Sequence, residues 1–263
     1  MKNIFKMVSL LVLVLFSFFY TDRVMNFINK KDPLMNKIDL LKDKYEVLPV
    51  NAVLDSNTII PGVKGKSVDL DKSYENMKVS GIFREDYLVY NDILPSEMLS
   101  NNMDKYIIGG NTSSNRVSLL VITNYDNIDK INNNNITIFL NHKDVSINNI
   151  KKINKNSIYT YGNNGIYSEE ILDNDNTIIN RISKNKSIYC LSMEKNNDTL
   201  SICNKKKMYV VIPSIVGDYL DIKNNLTNGS IILLNDMNNL DIIVKYINSK
   251  GYMIVPIEEL LTE

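Results

Sequence analysis

Histidine is almost absent from this chain, whose 263 residues contain a single one, His142. A histidine-rich metal site is therefore impossible, and a catalytic set that pairs histidine with serine and aspartate, or with cysteine, has no support. Cysteine is also scarce, with two residues, and the spacing of Cys190 and Cys203 matches no zinc-binding pattern. The two thiols either form one disulfide or are two separate buried groups.

Net charge is also missing, because 30 Lys and Arg residues balance 30 Asp and Glu residues. This balance provides no basic excess for nucleic acid and no acidic tail for a basic partner. The hydrophobic share of 44% is ordinary for a globular protein. At this length, the composition predicts one large domain, or one domain with an appendage.

The chain begins with two lysines, Lys2 and Lys6, followed by an apolar run from Met7 to Tyr20. No small-x-small cleavage site follows the run, so residues 1–28 are predicted to be an uncleaved signal-anchor, a transmembrane helix with its lysines in the cytoplasm. The alternative is a cleaved signal peptide. Both place the bulk of the chain outside the cytoplasm, and the first places it at the cell membrane as a single-pass protein.

Three further regions follow. Residues 29–50 are polar and predict a stalk or a short helix. Residues 51–110 contain turn signals between short β-branched runs, as in "IIPGVKGKSV", and predict a small, mostly β module. Residues 111–263 form the predicted main domain.

In the main domain, short apolar runs alternate with polar segments of helical length. The runs are Val117–Thr123, Ile136–Leu140, Ser157–Tyr161, Ser187–Leu191, Met208–Pro213, Ser230–Leu234 and Tyr252–Pro256. Continuous β-branched runs are typical of strands that are buried on both faces, as in a parallel sheet covered by helices. The pattern therefore predicts an α/β fold with about seven mainly parallel strands, arranged as an open sheet or as an irregular barrel.

Two segments resemble the polysaccharide deacetylase family, which has the NodB-homology fold. The segment Gly229–Leu261 is similar to the end of that family's domain. It contains, in order, "GSIILLND", a helix, "SKGY", an apolar strand and "ELL". The segment Ser187–Ser214 resembles its strand, substrate loop, helix and next strand. The resemblance extends over residues 116–261 and implies a distorted (β/α) barrel of about seven strands.

The resemblance also implies where the family's catalytic residues would stand. The two aspartates, a general base and a ligand of a divalent metal, fall at Ile122 and Thr123, and the family's histidine pair falls near Tyr161 and Gly165. The arginine–proline motif falls near 189–193, which contain neither residue type, and the final histidine becomes Asn235. Every catalytic element is thus missing, and we expect no metal site and no cofactor.

A few residues remain candidates for function. Asp126 and Asp236 are the catalytic candidates, although Asn235 and Asp236 also suit a helix N-cap. The binding candidates are Tyr159, Tyr161, Tyr167 and Asn235, because tyrosine rings can hold sugar rings by apolar contact. His142 follows the second predicted strand of the main domain, where it is either a solvated loop residue or part of a site without an identifiable partner.

These observations favour a membrane-anchored, extracytoplasmic, deacetylase-like protein that is catalytically inactive. It would bind cell-wall polysaccharide or act as a scaffold at the cell envelope. An alternative is a carbohydrate-processing hydrolase with a rearranged site of Asp126, Glu169 and Asp236, since two carboxylates can act on sugars without a metal. A third possibility is a structural partner in a membrane complex.

Overall fold

A computed structural model describes residues 2–124, 127–128, 131, 133, 135–153, 157–182 and 186–263 of the chain. Its helices and strands are, in chain order, α1 (Lys2–Asn29), α2 (Pro33–Leu41), β1 (Val53–Leu54), β2 (Thr58–Ile60), β3 (Gly65–Val68), α3 (Leu70–Met77), β4 (Tyr90–Ile93), β5 (Tyr106–Ile107), β6 (Arg116–Thr123), β7 (Thr137–Leu140), α4 (Ile147–Lys152), β8 (Ser157–Thr160), α5 (Glu169–Ile182), β9 (Tyr189–Leu191), α6 (Asn197–Lys205), β10 (Tyr209–Val211), β11 (Ile215–Gly217), α7 (Tyr219–Asn225), β12 (Ile231–Leu234), α8 (Leu240–Ser249), β13 (Met253–Ile254) and α9 (Ile257–Leu260).

The chain divides into two compact units. The smaller unit comprises Met1–Pro49 and Lys64–Ile93, and the larger comprises Val50–Val63 and Leu94–Glu263. This division differs from the predicted boundaries at residues 50 and 110. The reason is that β2 pairs with β5, and β5 pairs with β10. The first and last parts of the predicted 51–110 module therefore belong to a sheet of the larger unit.

In the smaller unit, α2 and α3 pack together beside an antiparallel β3–β4 pair. Ile38 and Met77 are fully buried in its core. Asp32 caps α2 by accepting a hydrogen bond from the Leu34 amide at 2.7 Å, and its other oxygen accepts one from the Tyr74 hydroxyl at 2.9 Å. Part of the predicted stalk is therefore a packed helix.

The predicted membrane helix is not confirmed. Residues 2–29 form the single helix α1. Across the described residues, however, no helix has both the length and the apolar character that a membrane span requires.

Two mainly parallel sheets form the larger unit. One has the strand order β11-β12-β6-β7-β8, with β13 also paired to β6, and the other has the order β1-β2-β5-β10-β9. Only the β1–β2 pair of these sheets is antiparallel. The predicted α/β class with mainly parallel strands is thus confirmed, and each of the seven predicted apolar runs contains one strand.

Side-chain alternation sorts the strand residues of the larger unit into an inner and an outer core. The inner core lies between the two sheets, and α9 helps to fill it. Its strand residues include Leu120, Phe139, Tyr159, Leu191 and Leu233. The residues between them face the helices: Ile138 and Leu140, for example, pack in the same cluster as side chains of α4, α5, α7 and α8. The strands therefore enclose a packed interior, as in a small barrel.

Tyr167 joins the two sheets at their β8 and β9 edges. Its buried hydroxyl accepts a hydrogen bond from the Leu191 amide at 3.0 Å and lies 3.0 Å from the Leu191 carbonyl and 3.5 Å from the Thr160 carbonyl. Because Thr160 and Leu191 end their strands, this contact brings the C-terminal ends of β8 and β9 to the same rim.

Candidate functional site

The C-terminal ends of the parallel strands define one rim, called the mouth below. Ile122 and Tyr161 lie there, and both pack against the inner core while remaining partly exposed. The register pairs Val121 with Leu234, so Asn235 follows directly beside Ile122 on the neighbouring strand. Asn141 follows β7 at the same rim, and its side-chain oxygen is buried without a hydrogen-bond partner among the described residues. The mouth is thus built from amide, phenol and aliphatic side chains.

The positions matched to the family's two aspartates cannot hold a metal ion. Ile122 has no donor atom. Thr123 is 3% exposed, and its hydroxyl donates to the Asn124 carbonyl at 3.1 Å. A catalytic zinc site needs about three nitrogen, sulfur or carboxylate ligands with an open position. No group of three such side chains exists in the part of the chain that the structure describes.

The remaining matched positions have structural roles. Gly165 has a φ of 84° and lies against the ring of Tyr161, where an added Cβ would come within 3.0 Å of the Tyr161 hydroxyl. The 189–193 segment begins with Tyr189, a member of the inner core, and contains Ser192, whose hydroxyl donates to the Glu194 carbonyl at 2.7 Å. Neither segment supplies a histidine or an arginine. The residues present therefore do not fit the metal that the fold family implies.

The three candidate tyrosines do not form one binding surface. Tyr159 is 1% exposed, its hydroxyl donates to Glu258 at 3.1 Å, and its ring contacts Phe139 and Tyr189 with centroid distances of 5.5 and 5.3 Å. Tyr167 is the buried link between the sheets. The prediction of these two as sugar platforms is corrected, because protein covers their rings. Tyr161 is the one of the three that is partly exposed.

Burial also determines the acid–base behaviour of these rings. It raises the pKa of Tyr159, Tyr161 and Tyr167, because a phenolate loses hydration in the interior. The neighbouring Glu258 raises the pKa of Tyr159 further. All three are therefore neutral at physiological pH and act as hydrogen-bonding or packing groups.

The candidate carboxylates have partners of their own. Asp236 accepts a hydrogen bond from the Asn238 amide at 2.8 Å, in the turn that precedes α8. Glu169 at the start of α5 lies 3.4 Å from Lys205 and 3.6 Å from Lys206. Asp126 lies outside the described residues. Asn235 is exposed, and its backbone amide donates to the Gly217 carbonyl at 3.2 Å.

The structure supplies a partner for His142 that sequence reasoning missed. Its Nδ1 lies 2.6 Å from one oxygen of Asp175, and the Thr160 hydroxyl donates to the other oxygen at 2.5 Å. Asp175 is 1% exposed and shares the buried face of α5 with Leu172 and Ile179. An aspartate at helical spacing within an apolar stripe is the signal that could have revealed this arrangement.

No family model matches the chain. The uncharacterized protein YlxY of Bacillus subtilis is 38% identical over 92 residues, which is 35% of this chain and 29% of the relative's own length. The chain thus spans less than a third of that relative.

Solved structures are similar over a much larger part of the chain. The wild-type CE4 family pseudoenzyme BA3943 of Bacillus anthracis has a TM-score of 0.65 and 19% identity, covering 89% of this chain and 96% of the other. A BA3943 mutant described as having restored enzymatic activity also has a TM-score of 0.65 and 19% identity, covering 88% and 99%. The chitin deacetylase of Colletotrichum lindemuthianum has a TM-score of 0.50 and 12% identity, covering 60% and 92%. The chain therefore has the polysaccharide deacetylase fold, in a degenerate form without the family's catalytic residues at the positions matched here.

Proposed function

We propose that this chain is a deacetylase-like protein that has no deacetylase activity and binds saccharide at its mouth. The observation that carries the proposal is Ile122, an aliphatic side chain at the position where the fold's enzymes are expected to hold a carboxylate. With Thr123 buried beside it, these two positions offer water neither a base nor a ligand for an activating metal ion.

The neutral side chains of the mouth support binding. Asn141 and Asn235 offer amide groups, and Asn141 brings a buried oxygen that has no hydrogen-bond partner among the described residues. Tyr161 offers part of an aromatic ring. Hydroxyl-rich sugars are held by such amides together with apolar ring contacts. The favoured ligand is thus an uncharged saccharide of the cell wall.

We also propose that the chain acts outside the cytoplasm, at the cell envelope. Cys190 on β9 and Cys203 on α6 form a disulfide. Disulfides persist in oxidising compartments and are rare in the cytosol, which supports export. Membrane anchoring by residues 1–28 stays a prediction of the sequence. Alkaline carbonate extraction tests it, since an anchored chain stays with the membranes and a released chain contradicts the anchor.

The test for catalysis is acetate release. The purified full chain is incubated with Zn²⁺ or Co²⁺ and acetylated chito-oligosaccharide, and we expect no acetate above the protein-free blank. Acetate release that falls in the D126N or D236N variant would overturn the proposal and favour the rearranged hydrolase.

The test for binding is a calorimetric titration of the purified chain with chitotetraose. We expect saturable binding that weakens about tenfold in Y161A, because the ring contact is lost. Tyr90, which is 39% exposed in the smaller unit, provides the matched control Y90A with unchanged binding. Equal affinity for wild type and Y161A would contradict binding at the mouth.

A further inference from the structure

The His142–Asp175–Thr160 arrangement is the strongest unassigned feature of the described chain. Asp175 is almost fully buried, so an ionised carboxylate there requires hydrogen-bond donors. Thr160 donates to one oxygen and the imidazole of His142 faces the other. The Thr160 hydroxyl also accepts a hydrogen bond from the Gly162 amide at 2.9 Å, which fixes the hydroxyl proton toward Asp175.

These contacts determine which ring nitrogen of His142 carries the proton. Nδ1 must be the donor, because its partner is a carboxylate. In the neutral ring Nε2 then carries the lone pair. The His142 side chain is 41% exposed, whereas that of Asp175 is 2% exposed. The imidazole is thus partly exposed while its orienting partner lies inside.

The backbone holds this geometry in place. The His142 amide donates to the Gly162 carbonyl at 2.7 Å, which links the segment after β7 to the segment after β8. Thr160 ends β8, and Asp175 lies in the middle of α5. The segment after β7, the end of β8 and α5 therefore hold one imidazole in place. The His142 side chain is less free to rotate than that of an ordinary surface histidine.

We propose that His142 is a nucleophile toward small, activated acyl esters. Nε2 forms a bond to the acyl carbon, the ester C–O bond breaks, and the aryl oxide leaves with the electron pair. The acyl-imidazolium keeps its Nδ1 proton toward Asp175, whose negative charge stabilises it. Water then adds to the acyl carbon and gives one proton to solvent, and the C–N bond breaks with its electron pair returning to Nε2. A carboxylic acid is released and loses its own proton to solvent, and the neutral imidazole returns with its Nδ1 proton.

This activity does not depend on the proposed function. Thr160 and Leu140 face the outer layer of helices, while Ile122 and Tyr161 pack on the inner core. The imidazole is therefore on the outer side of the strands and the saccharide site is on the inner side. Asp175 and Thr160 are positioning residues, because they act on the ester only through His142.

The test of the nucleophile is hydrolysis of p-nitrophenyl acetate by the full chain, with mass spectrometry of quenched samples. We expect an acetylated form at His142 and a rate that falls at least about tenfold in H142N, whose amide can still donate to Asp175. Lys143 is exposed and adjacent, so K143A is the matched control with an unchanged rate. Equal rates for wild type and H142N would overturn the proposal.

The test of positioning uses Asp175 and Thr160. D175N allows the other imidazole tautomer, and we expect a loss of about tenfold or more. Because D175N alters a buried group, the T160V and T160S pair provides a second comparison in variants whose fold is verified by circular dichroism. T160S keeps the hydroxyl and should retain the rate that T160V loses. Unchanged rates in both D175N and T160V would overturn the positioning role.

Discussion

At the scale of single residues, the end of β6 decides what the mouth can do. Ile122 contributes aliphatic surface to the inner core, and Thr123 turns its hydroxyl to a neighbouring carbonyl. Neither can accept a proton from water near neutral pH, whereas a carboxylate can. The fold therefore persists without carboxylates at these two positions, because the core needs only the packing of these side chains.

Glu263 is a residue-scale test of how the larger unit is held together. One carboxylate oxygen accepts the Gly62 amide at 2.9 Å and the other accepts the Leu99 amide at 2.7 Å. We expect E263Q to lower the free energy of unfolding by about 1–3 kcal/mol, since one amide loses its acceptor. Urea unfolding followed by circular dichroism measures the change.

The matched control for that variant is E259Q. Glu259 lies 3.6 Å from Arg116 in an ion pair whose two side chains are about half exposed, at 49% and 45%. Such pairs contribute about 0–1 kcal/mol. A loss in E259Q as large as that in E263Q would contradict the assigned role of Glu263.

Tyr167 provides a second residue-scale prediction. Y167F removes the hydroxyl that links β8 to β9 and leaves the buried Leu191 amide without this acceptor. We expect a loss of about 1–3 kcal/mol in the free energy of unfolding. Y246F is the control, because the Tyr246 hydroxyl makes no hydrogen bond within the described ranges and its ring contact with Tyr219 is kept. Equal effects in the two variants would contradict the bridging role.

The buried tyrosines predict an alkaline limit to stability. Burial raises the pKa of Tyr159, Tyr167 and Tyr189 above the ordinary value of 10.0. Because the folded-state pKa exceeds the unfolded one, the stabilisation is full below pH 10 and declines above it as unfolded tyrosines ionise. Spectrophotometric titration should show these three ionising only together with unfolding. Their reversible ionisation in the folded chain would contradict their burial.

At the scale of elements, the disulfide joins β9 to α6. Cys190 and Cys203 are both fully buried and lie 13 residues apart. The paired variant C190A/C203A should lower the free energy of unfolding by about 2–4 kcal/mol, because the unfolded chain gains freedom. Thermal unfolding of the oxidised and variant chains measures this. An unchanged midpoint, or two free thiols in the chain purified without reductant, would contradict the role.

Strands were predictable from sequence where burial on both faces demands continuous apolar runs. β6, β7, β8 and β12 follow directly from such runs. β5 and β11 were missed, because the apolar runs that contain them are only two or three residues long and stop at Gly109 and Gly217. Their pairing depends on distant segments, as in the β2–β5 ladder between Thr58–Ile59 and Tyr106–Ile107.

The site was only partly predictable, for a different reason. Missing chemistry at Ile122 and Asn235 can be read from the sequence once the strands are placed. Whether a tyrosine faces solvent depends on tertiary packing, so Tyr159 and Tyr167 were misjudged. The pairing of His142 with Asp175 joins residues 33 apart in sequence and depends on how α5 packs against β8.

At the scale of the whole molecule, the larger unit keeps a complete inner core. Beneath the mouth this core is filled by Phe139, Tyr159, Leu191 and Leu233, and α9 contributes Ile257. Packing of this kind stabilises the unit without any metal ion. Metal removal is accordingly expected to leave the thermal midpoint unchanged, and a fall in the midpoint with chelator would contradict this.

The most direct test of the central claim is metal binding by the full chain. Equilibrium dialysis against Zn²⁺ or Co²⁺, with metal analysis of the protein compartment, gives the number of ions bound per chain. We expect well under one ion per chain and no tetrahedral cobalt spectrum, because the ends of the strands lack the ligands. One tightly bound ion per chain that is lost in a variant at the mouth would contradict the account.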